Sequence, residues 1–114
     1  MGTWDAGNFD NDAALGLVHN LTLNLQEQLT PPDEVEELSL IMGAVAVYKV
    51  LIERCYASPP ERDQIAELRE TVLSIYDAEI DELDPSPAFK TKRRSVIEQT
   101  FQEFLQLIDA AADE

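Results

Sequence analysis

Residues 38–52 decide the fold: Leu38-Ser39-Leu40-Ile41-Met42-Gly43-Ala44-Val45-Ala46-Val47-Tyr48-Lys49-Val50-Leu51-Ile52. The run falls short of the roughly 20 apolar residues a bilayer span needs, and Ser39 and Lys49 interrupt it, so it reads as a buried helix. Val35, Leu38, Ile41, Met42, Val45, Lys49 and Ile52 fall on one side of that helix, with Leu40, Val47 and Leu51 elsewhere. Apolar side chains on nearly every face imply a central helix surrounded by others, or one that also faces a second subunit. Gly43 with Ala44 and Ala46 permits close helix approach.

Outward from this run, helix boundaries are written in one local grammar: Thr30-Pro31-Pro32-Asp33 before it, Ser58-Pro59-Pro60-Glu61 after it and, more loosely, Ser86-Pro87. A hydroxyl at the N-cap accepts a backbone N–H, and Pro at the first helical position gives up only an N–H that was already unpaired. An acid two positions later completes a capping box. The spacing predicts helices at about 31–57, 59–83 and 87–112. The sequences around the three starts do not match, so the repetition is shared capping chemistry and not a duplicated unit.

Phe9-Asp10-Asn11-Asp12 opens the first helix, at about 11–29, with Asp10 or Asn11 as cap and acids at the positive end of its dipole. Its apolar face is Ala14, Val18, Leu21 and Leu25, widened by Leu15, Leu17 and Leu29. Leu21-Thr22-Leu23-Asn24-Leu25 alternates like a strand, but no second segment offers a pairing partner, so helix is preferred. The third helix sets Ile65, Leu68, Val72, Ile75 or Tyr76, and Leu83 on a charged rod ended by Pro85 and Pro87. The fourth presents Phe89, Val96, Ile97, Phe101, Phe104, Leu105 and Ile108 at three- and four-residue spacing. The expectation is an all-α, single-domain bundle of about four helices spanning 1–114, with 1–10 as an N-terminal motif segment. At 114 residues and 45% hydrophobic content, one core is what the chain can build.

Twenty-three acids against 8 Lys and Arg give a formal net charge of −15. Repulsion at that charge disfavours nucleic-acid backbones and anionic membrane surfaces, and favours basic partners. Cys55 is the single cysteine, so one chain forms neither a disulfide nor a Cys-based zinc cluster. A reduced, cytoplasmic setting fits. The N-terminus has no basic patch followed by an apolar run, and Ala6 stands where myristoylation wants Ser or Thr, so neither export nor a lipid anchor is expected.

No catalytic set emerges. Nucleophilic chemistry would need Cys55 activated by His19, the single histidine, and nothing local supports that pairing. Glycine-rich phosphate loops are absent, and no cofactor is expected. Asp77, Glu79, Asp81, Glu82 and Asp84 are hard-cation ligands by type, and Asp77, Asp81 and Asp84 share one helical face. They lack the loop pattern and central glycine of an EF-hand, so no metal site is assigned. The following bases, Lys90, Lys92, Arg93 and Arg94, predict ion pairs instead. Acids at the end of the third helix and bases at the start of the fourth oppose their own dipoles and compensate each other across the link. Trp4, Gly7 and Phe9 put two large rings and a glycine ahead of the first cap, where a hydrophobic plug on one end of the bundle is expected, with a partner or ligand site as the alternative.

The opening Met1-Gly2-x-Trp4-x-x-Gly7-x-Phe9-Asp10-Asn11-Asp12-Ala13 resembles that of the small bacterial proteins of domain of unknown function family 4259. Asp5 stands where that family usually has Gly, and beyond Ala14 only the succession of helices aligns. The resemblance implies a bacterial, single-domain protein and brings no activity with it. Trp4, Gly7, Phe9, Asp10, Asn11 and Asp12 are the binding-site residues it nominates.

The composite expectation is a cytoplasmic protein–protein interaction module, in its most concrete form an immunity-type antagonist that sets acidic surface against a basic partner such as a nuclease. The alternative is a homodimer that shares the apolar second helix. A metal-dependent enzyme using Asp10, Asp12 and the 77–84 acids has the least support.

Overall fold

The computed structural model describes Gly7, Asn8 and residues 11–112. It is an all-α bundle of four helices: α1 (Asp12–Gln28), α2 (Leu38–Cys55), α3 (Arg62–Glu79) and α4 (Pro87–Ala112). A 3-10 turn, Val35–Glu37, leads into α2, and a second, Ile80–Leu83, extends α3. Among the described residues there is no strand, and the Leu21–Leu25 alternation is helical throughout.

The three hydroxyl–proline signals divide in a way that stereochemistry explains. At Ser86-Pro87 the expected cap forms: the Phe89 N–H donates to Ser86 Oγ at 3.2 Å and Pro87 is the first helical residue. At Thr30-Pro31-Pro32 and Ser58-Pro59-Pro60 it does not, and both proline pairs lie in linkers. A residue that precedes proline is disfavoured in the α region, so the first proline of a pair is a poor first residue for a helix. The predicted starts at 31 and 59 therefore move to Leu38, behind the 3-10 turn, and to Arg62. The first turn at 35–37 is closed by Glu37, whose carboxylate accepts the N–H groups of Asp33 (2.5 Å) and Glu34 (3.2 Å). Asn11 starts α1, its Oδ1 accepting the Ala14 N–H at 2.8 Å. At the other end of α2, Tyr56 takes a left-handed conformation (φ 61°), which lets the Ala57 N–H return to the Leu51 carbonyl at 3.1 Å.

The helices pack as two hairpins, α1 on α2 and α3 on α4, joined where α2 meets α4. One core runs through them, with Val45, Tyr48, Ile65, Val72, Ile97, Phe101 and Phe104 fully buried. The radius of gyration, 16.3 Å, exceeds the roughly 13 Å of a compact domain this long, so the row of helices is elongated and leaves faces uncovered. The outer face of α2 is one of these. α2 is therefore not enclosed on all sides, which corrects the reading of a helix surrounded by others. Leu83, Phe89 and Val96, expected inside, are exposed.

Candidate functional site

Of the six nominated motif residues, Trp4, Phe9 and Asp10 lie outside the described residues, and with them the proposed plug. Gly7 and Asp12 are exposed. Asn11 serves the local structure, since besides capping α1 it donates through Nδ2 to the Asn8 carbonyl at 3.4 Å. Cys55 is buried at the end of α2, whereas His19 is exposed and borders a cleft with Tyr56 and Ser58.

The expected compensation between α3 and α4 is present. Arg94 holds Asp77 through two nitrogens (Nε–Oδ1 2.8 Å, second nitrogen–Oδ2 2.9 Å) and also reaches Glu98, while Lys90 pairs with Asp81 at 2.8 Å. The guanidinium hydrogen bond holds the Asp77 carboxyl below the usual carboxylate range. Asp77 and Asp81 are thus engaged with cations, and no cluster of His, Cys, Asp and Glu fit to hold a metal occurs among the described residues.

Two tyrosines lock the linkers. Tyr48, completely buried, donates its hydroxyl to the Ser58 carbonyl at 2.7 Å and accepts from Gln26 Nε2 at 2.9 Å, tying α1, α2 and the α2–α3 linker at one atom. Its ring lies 5.6 Å from that of Phe104 at 57°, a tilted aromatic contact. Tyr76 donates to the Lys90 carbonyl at 2.6 Å and so fixes the first turn of α4 against α3. Burial pushes both phenols above their ordinary value.

These locks place two surfaces. The first is an acidic pole. The Val35 N–H donates to Glu79 Oε1 at 3.3 Å, which brings the segment Asp33–Glu37 beside Glu79–Asp84 although 44 residues separate the bonded pair. Between the two acidic segments lies a small, mostly apolar cleft of about 80 Å³, lined by Val35, Leu38, Tyr76 and Ile80, by the exposed Leu83 and Phe89, and by one cation, Arg93. An apolar socket with an acidic rim fits the usual anatomy of a binding site, in which an anchor is buried at the centre and charge sits at the edge. Sequence reading found the acids of 77–84 but not their neighbours at 33–37, because nothing local signals a contact between distant segments.

The second surface is the outer face of α2, where Leu40 (61% exposed), Val47 (52%) and Val50 (49%) surround Gly43. Beside them, Leu25 and Gln28 of α1 complete a shallow groove with Leu40, Gly43 and Val47. Among the described residues no helix is long and apolar enough to cross a membrane.

No family model matches the chain, and no curated protein or solved structure matches it either.

Proposed function

We propose that this chain is a cytoplasmic bacterial protein–protein interaction module that takes a basic partner on the acidic pole formed by Asp33–Glu37 and Glu79–Asp84. The observation that carries this reading is the apolar cleft between the two acidic segments. Charge alone steers and solubilises, whereas a socket for an apolar side chain inside an acidic rim adds a contact that holds a partner in one register. An antagonist of the immunity type, acting on a basic enzyme such as a nuclease, is the form that fits the net charge of −15. The resemblance to domain of unknown function family 4259 agrees with a small bacterial protein and adds no chemistry. Its motif residues Trp4, Gly7, Phe9, Asp10, Asn11 and Asp12 precede or open α1 in the sequence and are a second, separate candidate for contact.

The test is capture of partners by the tagged protein at low and at half-molar salt, beside two folded variants, Trp4→Ala and the double reversal Asp33→Lys/Glu82→Lys. Surface charge pairing is screened by salt, so the reading expects a basic protein that is recovered at low salt, lost at high salt and lost with the double reversal. Capture that survives the reversal and fails with Trp4→Ala would transfer the site to the N-terminal motif.

A further inference from the structure

The outer face of α2 carries a pattern that the acidic pole does not explain. Leu40, Gly43, Val47, Val50 and Arg54 of α2 follow one another at alternating steps of three and four, the spacing of a helix–helix seam, and Glu36, in the 3-10 turn that leads into α2, precedes Leu40 by a further step of four. At 100° per residue the five on α2 lie within about 40° of the line opposite the fully buried Val45. From Leu40 to Arg54 they form a stripe about 21 Å long on the side of α2 that no described residue covers. Neither Glu36 nor Arg54 joins an ion pair within the chain among the described residues.

The stripe is symmetric in sequence about Val45: Gly43 and Val47, Leu40 and Val50, and Glu36 and Arg54 are equidistant pairs. An antiparallel copy of α2 laid on it by a two-fold axis at Val45 meets each residue with its counterpart. Gly43 then faces Val47 of the second copy, Leu40 faces Val50, and Glu36 faces Arg54 at both ends. A parallel pairing would instead set Glu36 on Glu36 and Arg54 on Arg54. Charge therefore selects the antiparallel register, and it is satisfied at both ends by one two-fold operation, as an isologous interface requires. A Cβ at Gly43 would meet nothing within 4 Å, as at Gly16 of α1, so among the described residues the space above Gly43 is open and leaves room for Val47 of a second copy.

We infer that a second copy of this chain covers the outer face of α2, in an antiparallel two-fold seam with Glu36–Arg54 pairs at its ends and Leu25 and Gln28 of α1 at its border. The seam itself is charge-balanced, and the repulsion between two chains of net charge −15 is long-range and weakened by salt. The dimer therefore persists at half-molar salt, where binding at the acidic pole is lost, so salt separates the two surfaces although Glu36 belongs to both.

Sedimentation equilibrium at micromolar concentration tests the inference. The full chain is expected at twice the 12.8 kDa monomer mass at both low and high salt. Val47→Glu changes an exposed side chain, so the variant folds, as circular dichroism checks, and it sediments as a monomer. Glu36→Arg or Arg54→Glu alone replaces two attractive end contacts by repulsive ones and weakens the dimer about tenfold, and the two together restore it to within about threefold of the original. A wild-type monomer overturns the proposal. If Val47→Glu also lowers that monomer's unfolding midpoint, the face is covered within one chain. If it leaves the midpoint unchanged, the face is open in solution or belongs to another protein. A dimer that ignores Val47→Glu is built elsewhere, and a double reversal no tighter than the singles refutes the antiparallel register.

Discussion

Tyr48→Phe removes a single oxygen from the most connected point of the bundle. The hydroxyl donates to Ser58 at 2.7 Å and accepts from Gln26 at 2.9 Å, while the ring keeps its contact with Phe104 in the variant. A hydrogen bond within a protein is worth about 1 kcal/mol net, so losing two costs about 2 kcal/mol. The cost stops there because neither abandoned partner is sealed in the core: Ser58 is exposed and Gln26 half-buried, and both can turn to water. With a urea dependence of about 2 kcal/mol per molar for a chain of this size, the unfolding midpoint falls by about 1 M at unchanged slope. Equilibrium urea unfolding followed by far-ultraviolet circular dichroism measures it. A midpoint equal to that of the original chain would refute the claim that this hydroxyl ties α1 and the α2–α3 linker to α2. A changed slope would mean that the substitution altered the folded or unfolded ensemble, not one pair of bonds.

Three other outcomes follow from the same geometry. Ser86→Ala removes the acceptor for the Phe89 N–H and is expected to lower stability by about 1 kcal/mol in the same urea assay, while Thr30→Ala and Ser58→Ala, whose hydroxyls cap no helix, leave the midpoint in place. Raising the pH through the ordinary tyrosine range, near 10, should destabilise the fold. Burial raises the folded-state pKa of Tyr48, so its contribution is complete below the unfolded value and is lost as the pH climbs from that value through the folded one; Tyr48→Phe should flatten this alkaline limb. The Asp77 carboxyl, followed by carbon-detected NMR, is expected to titrate below the usual carboxylate range and to return to it in Arg94→Gln, with little change in stability because the pair is on the surface.

The parts of the fold that were legible in the sequence are those that local chemistry dictates. Asn11 caps α1, Ser86 caps α4, and three- and four-residue spacing identified Val18, Ile65, Leu68, Val72, Ile97, Phe101 and Phe104 as core. The α3–α4 ion pairs were also legible, since Asp77 and Asp81 are brought to Arg94 and Lys90 by a short link between adjacent helices. Misreading began where two local rules compete. A hydroxyl followed by proline announces a helix, but a second proline disfavours the helical region for the first, and that preference wins at residues 31 and 59. Tyr48 was read only as part of an apolar run, though a phenol in such a run needs a polar partner when buried, and that need was the available signal. The acidic pole was illegible for another reason, and the open face of α2 was legible only as the alternative of a helix that also faces a second subunit. Periodicity marks which sides of a helix are apolar but not which side a neighbour covers, and no local rule brings Val35 to Glu79.

The claim at the centre of this account is that the acidic pole is where a partner docks, and NMR mapping tests it most directly. The captured basic protein, titrated into the isotopically labelled chain at low salt, should move backbone resonances at 33–38, 80–84 and 89–93 and leave the outer face of α2 unchanged. Movements confined to the start of α1 or to residues 40–50, with the pole silent, would contradict it.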